Sequence, residues 1–141
     1  METIKIKYLA DIDPIESIEQ GDWIDLRCAK NMVLIQGNYY QIPLGVAMQL
    51  PEGYEALVAP RSSLFKRHGL IMANSIGIID NSYCGENDEW NCLVYATADG
   101  VLEKNERICQ FRIIKNQPKV ELIKVESLGN KDRGGIGSTG K

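Results

Sequence analysis

The chain has 141 residues, a mass of 15.8 kDa, 44% hydrophobic and 25% charged residues, values that suit one packed domain and exclude a disordered or coiled-coil segment. Its 16 Lys+Arg against 19 Asp+Glu leave a net charge of −3 and a pI of about 5.2, a poor balance for wrapping duplex nucleic acid, whose binding rests on neutralising phosphates. A phosphate ligand would have to be held by a few aimed donors.

Residues 1–8 alternate Ile4, Ile6 and Tyr8 with Lys5 and Lys7, a strand pattern rather than a signal peptide. Further strands are predicted over 23–28, 32–36, 39–50 with a break at Pro43, 54–59, 70–72, 76–79, 92–97, 108–114 and 120–125. These segments are rich in Val, Ile, Leu and Tyr and are separated by Gly, Pro, Asn and Asp, the spacing of an all-β sandwich or barrel. One short helix is predicted over 62–68, with Ser62 or Ser63 as its cap and Gly69 as its end. The longest uncharged stretch, 31–51, is interrupted by Gly37, Pro43 and Gly45, so no membrane span is expected. Cys28, Cys84, Cys92 and Cys109 have no CxxC spacing, and His68 is the only histidine. That removes the usual zinc arrangements and leaves free, mostly buried thiols in a reducing cytoplasm as the expectation.

Residues 129–141 contain five glycines and one aliphatic residue, Ile136. Such a segment buries too little apolar surface to offset its ordering entropy, so it reads as a frayed terminus or as a flexible arm that orders on a ligand. Arg133 and the backbone and hydroxyls of Gly137, Ser138 and Thr139 would suit phosphate. The domain proper is then 1–128.

Chemistry concentrates in three stretches. In Asn74-Ser75-Ile76-Gly77-Ile78-Ile79-Asp80-Asn81-Ser82-Tyr83-Cys84-Gly85, Asp80 follows directly on an apolar run, where a carboxylate has either a task or a turn to open. Pro60-Arg61-Ser62-Ser63 sets a guanidinium and hydroxyls at the start of the predicted helix. Gln110 and Arg112 share one face of a strand.

In this order the stretches resemble the trimeric dUTPase family along nearly the whole chain. The family's five motifs match Asp25-Leu26, Pro60 to Gly69, Asn74 to Gly85, Glu106-Arg107-Ile108-Cys109-Gln110, and Arg133 to Gly140. The resemblance implies a distorted β-barrel or jelly roll with one short helix, a homotrimer, and Mg²⁺-dependent hydrolysis of dUTP to dUMP and pyrophosphate. That activity limits uracil incorporation into DNA and supplies dUMP. By the same resemblance, Asp80 activates the attacking water and Ser62 donates to the oxygen bridging the α and β phosphates. Arg61, Ser63, Gln110, Arg133, Gly137, Ser138 and Thr139 bind the phosphates. Asn74, Gly77 and Ile79 read uracil, and Tyr83 packs beneath the deoxyribose. Mg²⁺ prefers substrate phosphates and water to a protein cage, so Asp25 is expected to act on it through water. No nucleic acid or membrane partner is implied, and a regulatory protein partner is not legible.

Two departures stand out. Asp22-Trp23-Ile24 replaces the family's usual Ala-Gly-aromatic before Asp25, and Ile136 occupies the place of the phenylalanine that stacks on the base. Trp90, just beyond the third motif, is a candidate for the missing aromatic lid, the alternative being a core residue. Two other functions compete with the hydrolase: a dCTP deaminase, which needs a glutamate at the base, and a dUTP-sensing regulatory trimer.

Overall fold

The computed structural model describes residues 1–137 and Gly140. The elements in chain order are β1 (Lys5–Tyr8), β2 (Ile24–Arg27), β3 (Met32–Leu34), β4 (Tyr39–Pro43), β5 (Val46–Gln49), β6 (Tyr54–Pro60), α1 (Leu64–His68), β7 (Leu70–Met72), β8 (Gly77–Ile79), β9 (Asn91–Ala96), β10 (Gly100–Leu102) and β11 (Arg107–Lys115). Every pairing is antiparallel. The larger sheets run β2-β11-β6-β8 and β4-β9-β7, with β1-β5 and β10-β3 as two-stranded ribbons. This is the expected jelly-roll-like β fold.

Alternation builds the core. In β9, Cys92, Val94 and Ala96 are buried while Asn91, Leu93 and Tyr95 face outward, and β6 turns Ala56 and Val58 inward. These join Leu26, Ile42, Met72, Trp90 and Phe111 in one cluster. Each fully buried side chain of this size contributes about 1.5–3 kcal/mol, and a one-residue slip would turn a whole strand's apolar set to water. Cys28, Cys92 and Cys109 are buried free thiols and Cys84 is exposed. Burial pushes the Cys28 thiol up, and the Cys92 thiol together with burial keeps Cys109 protonated.

Three local expectations change. The helix ends as predicted, with Gly69 in the left-handed region at φ 63° and its N–H donating to the Phe65 carbonyl at 2.7 Å, but Ser63 at the N-cap makes no side-chain capping bond. β10 escapes prediction because a three-residue strand opening on glycine is stabilised mainly by its partner β3. The strand expected over 120–125 is absent, and Leu122 there is 93% exposed. The segment pairs with no strand among the described residues. The chain exposes 10154 Å², whereas a compact monomer of this mass exposes roughly 7,300 Å².

Candidate active site

Asn74, Gly77, Ile79, Asp80 and Tyr83 line one cleft, and Asp25, Arg61, Ser62 and Gln110 another. The first, of about 380 Å³, is lined by Asn74, Gly77, Ile78, Ile79, Asp80 and Tyr83 from β8 and the turns that flank it, and by Gln41, Glu89, Asn91 and Leu93. β8 is the edge strand of its sheet, bonded to β6 on one side only, which leaves outward backbone donors and acceptors for a planar ligand edge. Gly77 packs closely on β6, where a Cβ would lie 3.2 Å from the Val58 Cβ and force a small shift.

Asp80 is exposed at the end of this strand. One carboxylate oxygen, Oδ2, accepts the Ser82 hydroxyl and the Ser82 N–H, the latter at 2.8 Å. The hydroxyl first, and the N–H second, hold its pKa below the ordinary carboxylate value. Asp80 therefore opens a turn, and it does so while leaving Oδ1 ionised and without a hydrogen-bond partner among the described residues. Tyr83 donates its hydroxyl to the Glu89 carbonyl at 2.8 Å. Partial burial, followed by the charges of Asp88 and Glu89, pushes the phenol up, so it remains a donor.

The second cleft, about 300 Å³, is lined by Ile18, Gly21, Asp22, Trp23, Asp25, Arg61, Ser62 and Gln110. Asp25 on β2 stands opposite Gln110 on β11, and β11 also pairs with the end of β6, where Arg61 and Ser62 follow. Asp25 Oδ1 lies 3.2 Å from Arg61 Nε and its Oδ2 3.5 Å from Arg107 Nη1. Arg61 also donates to the Arg107 carbonyl at 3.1 Å, and Gln110 Nε2 donates to the Pro60 carbonyl at 3.1 Å. The Arg61 fork is thus held in place with N–H groups to spare. Ser63, at the start of α1, lines neither cleft. Asp22 pairs with Arg112 at 3.0 Å, and the Arg112 guanidinium lies 5.5 Å from the centre of the Trp23 ring. This ion pair and stack define the changed loop before Asp25.

The two clefts share no residue, and strand register explains why. Gly77, Ile78 and Ile79 pair with Val58, Leu57 and Ala56, so Asp80 falls opposite Glu55, while Ser62 lies seven residues further along. At about 3.3 Å per residue this separates Asp80 from Ser62 by roughly 20 Å.

His68 joins neither cleft. Its Nε2 is 3.0 Å from Glu106 Oε1, tying the end of α1 to the loop before β11. Arg133 and Gly137 are exposed in the segment after β11 and line neither cleft, and Ser138 and Thr139 lie outside the described residues. Trp90 is not a lid. It is 0% exposed, with its ring edge-on to Phe111 at 5.3 Å, so no π-face is open to a base. Local sequence missed Glu89, Asn91, Gln41 and Leu93 because the long-range pairing of β4 with β9 brings them to the cleft. It missed Trp23 as a cleft group and Arg107 as a partner of Asp25 because the pairing of β2 with β11 brings these segments together, though the unusual Trp23 was itself a signal.

A family model described as dUTPase matches residues 19–140. The SPbeta prophage-derived deoxyuridine 5'-triphosphate nucleotidohydrolase of Bacillus subtilis (strain 168) is 56% identical over 138 residues, with 97% of each chain covered. Two solved structures share the fold. A point mutant of the Staphylococcus bacteriophage 80alpha dUTPase with dUpNHpp superposes at TM-score 0.79 and 22% identity over 99% of both chains. A point mutant of the dUTPase from phage phi11 of S. aureus, described with a coordinated structural Mg(II) ion, superposes at 0.76 and 19% identity over 89% of this chain and 98% of that one. With the family model spanning most of its length and a relative 56% identical along nearly all of it, the chain belongs to the dUTPase family.

Proposed function

We infer that this protein hydrolyses dUTP to dUMP and pyrophosphate in a site completed between copies of the chain. The separation of Asp80 from Ser62 carries the reading. Attacking water and leaving oxygen flank a single phosphorus, yet roughly 20 Å of β6 lies between the two groups in one chain. A neighbour's Arg61–Ser62 cleft set against the Asp80 cleft joins them. The surface supports the same arrangement, because the chain exposes roughly 2,800 Å² more than a compact monomer, against about 800 Å² per partner for an ordinary interface. A closed homotrimer gives each chain two neighbours and offers the apolar alternation at 120–125 a strand edge.

The reaction follows from groups already oriented. Uracil meets the open edge of β8 and the Asn74 amide, with the backbone of Gly77 and Ile79 reading its donor and acceptors. The Tyr83 ring packs against the deoxyribose, where a 2′-hydroxyl would lose its water partners at about 1–3 kcal/mol. Asp80 takes the proton of the attacking water on Oδ1. The approach of an anionic triphosphate raises its pKa toward working pH, and a base so placed contributes about 10²–10⁴-fold. Ser62 donates to the α–β bridging oxygen as charge develops there. Arg61 and Gln110 hold phosphate oxygens, and residues 129–141, with Arg133, Gly137, Ser138 and Thr139, close as an arm and exclude water.

Bound with the triphosphate, Mg²⁺ supplies charge neutralisation of the phosphates. The donor set suits that role. Among the described residues no cluster of three His, Cys, Asp or Glu forms a protein cage. Asp25, with one guanidinium contact on each oxygen, keeps acceptor capacity for a metal-bound water. A deaminase would call on a glutamate at the base. Glu89 does border the cleft, but its Oε2 already accepts the Gly45 N–H at 2.9 Å.

The test is pyrophosphate release from dUTP with Mg²⁺, beside dCTP, dTTP and UTP. Turnover confined to dUTP is expected. Ammonia release from dCTP would overturn the reading, as would equal hydrolysis of all four.

A further inference from the structure

The geometry points to Asn91 as a positioning residue for Tyr83: the two side chains grip one carbonyl, that of Glu89, and so fix the ring that tells deoxyribose from ribose. The inference rests on the nucleoside reading of the Asp80 cleft.

Tyr83 sits in the loop between β8 and β9, and Asn91 begins β9 opposite Pro43. The Tyr83 hydroxyl donates to the Glu89 carbonyl at 2.8 Å, and Asn91 Nδ2 donates to the same oxygen at 3.0 Å. A carbonyl offers two acceptor sites, so this one is filled. The carbonyl is also fixed from both sides. Glu89 Oε2 accepts the Gly45 N–H. The next residue, Trp90, donates its N–H to the Val46 carbonyl at 2.9 Å and accepts the Leu44 N–H at 3.0 Å. Its indole is locked in the core against Phe111.

The core therefore holds an acceptor at the rim of the cleft, and the polar end of an otherwise exposed ring is tied to it. Exclusion of a 2′-hydroxyl requires that the ring stay in place. A Tyr83 released from its hydroxyl bond regains other rotamers and leaves room for ribose. Asn91 also lines the cleft, and its one side-chain hydrogen bond among the described residues is the one to this carbonyl.

The experiment uses the full chain with Mg²⁺ and compares kcat/KM for dUTP with that for UTP in wild type, Tyr83→Phe, Asn91→Leu and the double variant. One net hydrogen bond corresponds to about fivefold, so each single variant should lower the dUTP/UTP ratio by that factor. The double variant should be no less selective than Tyr83→Phe alone, because both act through one oxygen. An unchanged ratio in Asn91→Leu, or losses that multiply in the double variant, would overturn the inference. Asn91→Ala replaces Asn91→Leu if the latter does not fold. A nucleotide-free readout separates this inference from the functional reading. In protein carrying fluorotyrosine, the Tyr83 resonance, identified by its loss in Tyr83→Phe, should shift in the Asn91 variant. A resonance that does not move refutes the positioning role even if dUTP is turned over. Wild type that fails to turn over dUTP refutes the functional reading alone.

Discussion

Replacing Trp90 by alanine separates a core residue from a lid. Trp90 is fully buried and packs edge-on against Phe111 on β11, so the substitution leaves a cavity between the two main sheets. Large aromatic-to-alanine changes in cores cost about 3–5 kcal/mol. At about 2–4 °C per kcal/mol for a domain of this size, that is a fall in Tm of roughly 6–20 °C. Trp90→Phe should cost much less, because it keeps most of the volume and removes an indole N–H that is buried without a partner. Thermal unfolding followed by circular dichroism measures this, at equal protomer concentration because assembly shifts apparent stability. KM is then compared at a temperature where all variants are folded. A Trp90→Ala protein that melts with wild type but has a greatly raised KM would refute the core assignment and restore the lid.

Nucleotide binding should change tryptophan fluorescence through Trp23, which lines the Arg61–Ser62 cleft. The response should vanish in Trp23→Phe and survive in Trp90→Phe, and the opposite pattern would contradict the two placements. Ser82→Ala should move the acid limb of kcat/KM to higher pH. The Ser82 hydroxyl stabilises the charged form of Asp80, so its loss raises that pKa and protonates the base at less acidic pH; a limb that stays or moves down would argue against Asp80 as the base. Deletion of residues 129–141 should leave Tm nearly unchanged and cripple turnover, since the described part of this segment lies outside the core. An unchanged kcat/KM would remove the arm from the mechanism.

Much of the fold was legible because burial writes a period of two into a strand. Cys92, Val94 and Ala96 alternate with outward residues along β9, and Gly69 marks the end of α1 because only a left-handed residue closes it cheaply. β10 and the missing strand over 120–125 were not legible for one reason: a marginal strand depends on a partner, and local sequence does not show whether one is there. The roles proposed for Asp80 and Ser62 rest on motif resemblance, whereas their separation comes from the register of β8 on β6, which no local pattern carries. Trp90 shows the limit most clearly. Its position after the third motif suits a lid, but two backbone bonds to β5 and its neighbour Leu44 draw it into the core.

Complementation tests the shared site most directly. Asp80→Asn and Ser62→Ala should each lose most of kcat as homo-oligomers while still binding a non-hydrolysable dUTP analogue. When equal amounts are unfolded together and reassembled, a site that takes Asp80 from one chain and Ser62 from another is intact in about a quarter of cases under random closed assembly. Recovery of about a quarter of wild-type turnover of dUTP is the predicted result. Mixed oligomers that form and remain as inactive as either parent would place both residues in one chain and contradict the account.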